Sequence, residues 1–135
     1  MIIAIDGSAA SGKGTLAKQL GCHFDLAHLD TGALYRALAL QLLKSGANVD
    51  KITEKQCVKL CLQLDLGLTN SPLIRNDNIA NVASVVAAMP LVRSQLLNVQ
   101  RRFAQHPPHG VGAILDGRDI GTVVLPDADL KFFID

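Results

Sequence analysis

The tightest constraint on the fold lies at the start of the chain, where the apolar run MIIAI (1–5) passes directly into DGSAASGKGT and then into apolar residues at helical spacing. Gly7, Gly12 and Lys13 satisfy the spacing G-x-x-x-x-G-K of loops that wrap phosphates. Such a loop points backbone N–H groups at phosphate oxygens, its glycines permit close approach, and the helix that follows turns its positive end toward the anion. The pattern predicts a strand over 1–5 and a phosphate loop built from Gly7, Ser8, Ala9, Ala10, Ser11, Gly12, Lys13, Gly14 and Thr15. A helix follows, with Leu16, Ala17 and Leu20 on its apolar face and Gly21 as its terminator. One detail departs from the general pattern. The hydroxyl residue expected beside the lysine is displaced by Gly14 and arrives as Thr15.

The rest of the chain alternates between strand and helix signals. FDLAHLD (24–30) half-alternates as a weak strand, and TGALYRALALQLLKSG (31–46) reads as a helix with Thr31 as a possible cap and Gly46 as its stop. TEKQCVKLCLQL (53–64) is amphipathic, whereas 65–77 is turn-rich, with room for a loop or one small strand. Helical periodicity returns over 78–105 and is broken at Pro90, and HPPHG (106–110) must be a loop. VGAILDG (111–117) and ADLKFFID (128–135) read as further strands. This alternation predicts an α/β fold with a parallel sheet flanked by helices, whose ligands bind at the carboxyl ends of the strands.

Composition suits one domain of 135 residues, with 49% hydrophobic and 19% charged side chains. Thirteen Lys+Arg against twelve Asp+Glu leave a formal charge of +1, so no overall field calls for nucleic acid or a membrane surface. Any basic site must be local, built from Arg36, Arg75, Arg93, Arg101, Arg102 and Arg118. The N-terminal apolar run is too short for a signal peptide, which predicts a cytoplasmic protein. The three cysteines, Cys22, Cys57 and Cys61, do not suggest a disulfide framework, and Cys57 and Cys61 read as buried packing residues rather than a zinc site.

The sequence GKGT resembles the loop of the nucleoside monophosphate kinases, where the extra glycine is habitual and the threonine lies beside the nucleotide phosphates. That resemblance implies a second anion held in line with the first, and arginines away from the loop to hold it. LDTGALYR (29–36) offers Thr31 at a strand-to-helix junction and Arg36 a little over one turn later. Taken alone, the pair reads rather as a helix cap and a solvated surface arginine. Asp116 closes an apolar strand in the manner of the second motif of phosphate-loop enzymes, where a carboxylate reaches Mg²⁺ directly or through water, and Arg118 and Asp119 follow in a glycine-flanked turn.

Four segments in order, IDGSAASGKGT, LDTGALYRALAL, NIANVASVVAAMPLVRSQLLNVQRRFA and LDGRDIGTVVLPDADLKFF, resemble the bacterial cytidylate kinase family over most of the chain. The last two are not shared with adenylate or thymidylate kinases. The resemblance implies a core over 1–30 and 111–135, a helical monophosphate-binding region over about 31–110, and transfer of the ATP γ-phosphoryl group to CMP or dCMP with Mg²⁺. It assigns Lys13 and Arg118 to catalysis, and Thr15 and Asp116 to the metal. Thr31, Arg36, Arg118 and the further Arg75 fall to the acceptor phosphate, and Ser84, Arg93 and Asp119 to cytosine. Cytosine chemistry agrees, since a carboxylate can accept from the exocyclic amine while arginine and serine donate to N3 and O2, and uracil lacks that amine. Arg101 and Arg102 read as an ordinary surface pair.

Two departures from the family pattern accompany this. Its small sheet is replaced by residues 65–77, and its lid, last strand and closing helices are not in the sequence, which is expected to be a C-terminally incomplete form with an uncovered apolar last strand. The family is usually monomeric. A non-catalytic nucleotide-binding module and a kinase for another small acceptor remain open beside the leading reading.

Overall fold

A computed structural model describes residues 1–135. The elements in chain order are β1 (Ile2–Gly7), α1 (Lys13–Phe24), β2 (Leu26–Asp30), α2 (Thr31–Lys44), α3 (Glu54–Cys61), α4 (Asp77–Ala87), α5 (Pro90–Gln105), β3 (Gly112–Gly117) and β4 (Leu130–Ile134). They divide into two compact units, one formed by Met1–Thr31 with Asn98–Asp135 and the other by Gly32–Leu97.

The first unit carries a four-stranded sheet in the order β2-β3-β1-β4, with every pairing parallel. Its most apolar strands are central, and β3 is buried at every position, as strands covered on both faces must be. Ile3, Ile5, Leu26 and Ile114 form one face of the sheet, on which α1 lays Leu16, Ala17 and Leu20. Gly21 does not end α1 as its sequence suggests. A Cβ there would lie 3.0 Å from Leu26 O and 3.5 Å from Ile114 Cγ2, so glycine lets the helix approach the sheet. The helix instead stops at Asp25, whose left-handed backbone (φ 55°) returns its N–H to Gly21 O. β4 is an edge strand with an exposed face, and its Phe133 is 73% accessible.

The second unit is helical. Leu34, Leu38 and Leu42 of α2 are fully buried, as are Val82 and Val86 of α4 and Val92 and Leu96 of α5. Each such side chain contributes about 1.5–3 kcal/mol relative to exposure. Cys57 and Cys61 are buried, as their spacing suggests, while Cys22 in the first unit is exposed. A capping box between Thr53 and Gln56 starts α3. The helix ends at Cys61, short of the predicted 64, because Gln41 takes the next backbone groups: its Nε2 donates to Gln63 O (2.9 Å) and its Oε1 accepts from Asp65 N (3.0 Å). Residues 65–77 hold two short 3₁₀ turns, Leu66–Asn70 and Pro72–Arg75, and no strand. Pro90 is the first residue of α5, where its missing N–H costs nothing. No single helix is long and apolar enough to cross a membrane.

Candidate nucleotide site

The loop between β1 and α1 is closed by short local bonds. Ser11 N–H and Ser11 Oγ both donate to Ser8 O, at 3.1 and 2.7 Å. Gly12 adopts φ 84°, a left-handed conformation that suits glycine, and precedes Lys13 at the first position of α1. No acidic residue lies in the first turn of α1 to oppose an anion at the positive helix end. Ser8, Ala9, Ala10 and Thr15 are exposed. Gly14 is informative in a second way. Apart from its own helical backbone, nothing lies within 4 Å of where its Cβ would sit, although glycine in a helix is unfavourable by about 1 kcal/mol against alanine. The fold does not demand glycine there.

Two aspartates end the central strands, and the pleat separates them. Ile5 is in register with Asp116 and Asp6 with Gly117, so Asp6 and Asp116 face opposite sides of the sheet. Asp6 is fully engaged: Oδ1 accepts from Ile120 N (2.7 Å) and Oδ2 from Gly121 N (2.9 Å). Asp116, 1% exposed, is not. His28 Nε2 lies 2.5 Å from its Oδ2, while Oδ1 is buried without a hydrogen-bond partner and faces Lys13 Nζ at 3.7 Å. Of the two, only Asp116 has an oxygen available for a cation that arrives with phosphates, which Mg²⁺ accepts alongside one or two carboxylates. Thr31 opens α2, and its buried hydroxyl donates to Asp116 O at 3.0 Å, anchoring the end of β3.

Past β3 the chain turns sharply. Asp119 is left-handed (φ 57°), and Ile120–Val124 form a wide helical turn. Both ends of that turn are held. Asp6 takes the amides of Ile120 and Gly121, and Arg101 donates from Nε to Val124 O (3.0 Å) and from Nη2 to Val123 O (3.1 Å). Arg101 is therefore a brace rather than the ordinary surface residue its sequence suggests. The braced turn presents exposed Arg118 and Asp119 to a cleft of about 480 Å³ lined by Asp6, Gly7, Ser8, Arg118, Asp119, Thr122 and Phe133. Phosphate loop and arginine turn thus share one opening. Sequence reading passed over Asp6, His28 and Arg101, and the available signal for His28 was a polar residue inside the strand pattern LAHLD.

The remaining predicted residues lie in the helical unit. Arg36 is half-buried on α2, and Arg75 is exposed at the end of a 3₁₀ turn. Ser84 Oγ donates to Ala80 O (3.1 Å), and Arg93 Nη1 donates to Ala87 O (3.0 Å). Both side chains are exposed; Ser84 is held within α4, and Arg93, at the start of α5, reaches back to the last carbonyl of α4. Burial pushes the Tyr35 phenol up, with Arg93 opposing the shift. Burial, and then the neighbouring Cys57, push the Cys61 thiol up to about 11.

A parallel sheet in this order, with β1 leading through a glycine loop into α1 and a carboxylate ending the adjacent strand, defines the core of a phosphate-loop nucleoside monophosphate kinase. The family model for cytidylate kinase matches residues 3–135, and the chain belongs to that family. It is 52% identical over 134 residues to the cytidylate kinase of Rhodopseudomonas palustris, covering 99% of this chain and 61% of the relative. It is 51% identical over 135 residues to that of Nitrobacter winogradskyi (100% and 61%), and 51% identical over 134 residues to that of Bradyrhizobium diazoefficiens (99% and 61%). The chain therefore spans about 61% of the length of these relatives.

Proposed function

We propose that the protein is an ATP- and Mg²⁺-dependent kinase for CMP or dCMP, acting as a cytoplasmic monomer and yielding ADP with CDP or dCDP. The observation that carries this reading is the single cleft shared by Ser8 of the glycine loop with Arg118 and Asp119. Phosphoryl transfer asks little covalent chemistry of a protein and depends on positioning and charge stabilisation. The bond from the γ-phosphorus to the ADP oxygen breaks as a CMP phosphate oxygen takes its place. Loop amides from Gly7 to Thr15 and the positive end of α1 bind the donor phosphates. Lys13, held only loosely at 3.7 Å from Asp116, turns to them. The open space at Gly14 leaves the backbone approachable by a phosphate.

Arg118, with Thr31, Arg36 and Arg75, holds and neutralises the acceptor phosphate. Asp119 accepts from the cytosine amine, and Ser84 and Arg93 donate to the ring acceptors. The buried, unpartnered Asp116 Oδ1, with the Thr15 hydroxyl, fits a hard cation. Mg²⁺ there would offset negative charge on the donor phosphates. The test is ADP formation by the intact protein from ATP with CMP, dCMP, UMP, AMP and small-molecule alcohols. CMP or dCMP should be turned over fastest, and equal or faster turnover of AMP or an alcohol overturns the assignment. Calorimetric binding of ATP or CMP without turnover would identify a non-catalytic binding module instead.

A further inference from the structure

His28 stands on β2 in register with Ile114, so it shares a face of the sheet with Asp116 two residues further along β3. That diagonal spacing is within reach of a long side chain. The 2.5 Å contact to Asp116 Oδ2 needs a proton on Nε2, since a carboxylate can only accept. We propose that His28 is a positioning residue: by donating Nε2–H to Oδ2 it fixes the rotation of the Asp116 carboxylate and holds Oδ1 toward Lys13 and the donor phosphates.

The terminal torsion of an aspartate is broad and has no strong minimum of its own. Something else must hold it in a pocket where the group is 1% exposed. Oδ1 has no hydrogen bond, and Lys13 at 3.7 Å is beyond hydrogen-bond range, so neither anchors it. Thr31 reaches the backbone carbonyl of Asp116, not its side chain. His28 is thus the group that holds the side chain. Without it, a buried Oδ2 loses its donor, and the carboxylate is free to turn both oxygens toward Lys13, tying up the lysine and withdrawing Oδ1 from the cation. Partners that orient a ligating carboxylate typically matter by 10–100-fold in metal affinity. The inference rests on the reading of Asp116 as the metal-side carboxylate.

The test compares the intact protein with His28→Leu, His28→Gln, His28→Asn and Asp116→Asn. Two quantities are read by calorimetry: ATP affinity in excess EDTA, and the Mg²⁺ concentration that half-saturates the protein–ATP complex. Glutamine can place its amide nitrogen near the position of Nε2, whereas asparagine falls short. His28→Leu and His28→Asn should raise the Mg²⁺ requirement about tenfold while leaving metal-free ATP affinity within about twofold, and His28→Gln should recover most of the loss. If leucine does not fold, the contrast between asparagine and glutamine decides. An unchanged Mg²⁺ requirement in the asparagine variant, equal defects in asparagine and glutamine, or a loss confined to metal-free binding overturns the role of His28. An Mg²⁺ requirement unchanged in Asp116→Asn overturns the metal reading beneath it. A defect in Asp116→Asn alone removes His28 and leaves that reading standing.

Discussion

The polar side chains proposed for the site are held differently in the two units. In the sheet unit the partners are remote in sequence: His28 and Thr31 meet Asp116 across 88 and 85 residues, and Asp6 meets Ile120 across 114. In the helical unit Ser84 and Arg93 are held from only 4 and 6 residues away, both by carbonyls of α4. Remote bonds form only when the fold forms, and once formed they fix a side chain against several elements at once. Local bonds of exposed groups are worth about 1 kcal/mol and exchange readily with water or a ligand. The side chains of Asp6 and Asp116 are therefore fixed by the fold, whereas those of Ser84 and Arg93 have only local, exchangeable bonds.

This contrast can be broken in several places. The largest expected effect is at the loop: Lys13→Met should lower the rate of ADP formation by roughly 10²–10³-fold, as removal of a preorganised charge stabiliser does. A drop in stability of similar weight would mean that Lys13 is structural. Next comes Asp119→Ala, which should lower the CMP-to-UMP turnover ratio by about 10²-fold while leaving the KM for ATP near its starting value. A constant ratio would take Asp119 out of the base site. Smaller still, and measured by denaturant unfolding, Asp6→Ala should cost about 1–3 kcal/mol by stranding the amides of Ile120 and Gly121. Ser84→Ala should stay within about 0.5 kcal/mol. Equal costs would erase the difference between remote and local bonding.

A pH dependence is expected inside the helical unit. The Cys61 thiol titrates near 9.0 when unfolded and is pushed up to about 11 when folded, because burial disfavours the thiolate. Its contribution is fully present below pH 9 and fades as pH rises toward 11, where the unfolded state loses its proton first. Melting temperatures of the wild type should fall more steeply across that window than those of Cys61→Ala. Parallel slopes would show that the thiol does not sense its burial.

Much of the architecture was legible because local pattern and tertiary role coincide. The opening apolar run became β1, the glycine loop led into α1, Pro90 separated α4 from α5, and VGAILDG supplied β3. Reading failed where a residue answers to something distant. Gly21 looks like a helix stop but exists to let Leu26 O approach. The end of α3 was misplaced because Gln41, on another helix, takes the backbone past Cys61. In the candidate site, the loop and the turn at Arg118 and Asp119 were visible as motifs, whereas Asp6, His28 and Arg101 were not. Their significance lies in which amide, carboxylate or carbonyl they meet, and no spacing rule encodes a partner on another strand or helix.

Asp119 adds a constraint of another kind. Its backbone lies at φ 57°, a region uncommon for side-chain-bearing residues and most readily adopted by asparagine and aspartate, then histidine. A glutamate, threonine or glutamine at this position would have to strain the chain before it could touch a base. If this side chain reads the nucleobase, the alphabet of readers is nearly two letters long: one carboxylate that accepts, and one amide that can also donate. A drift toward uracil would then have its shortest route through Asp119→Asn, a change of hydrogen-bonding character with no change of shape.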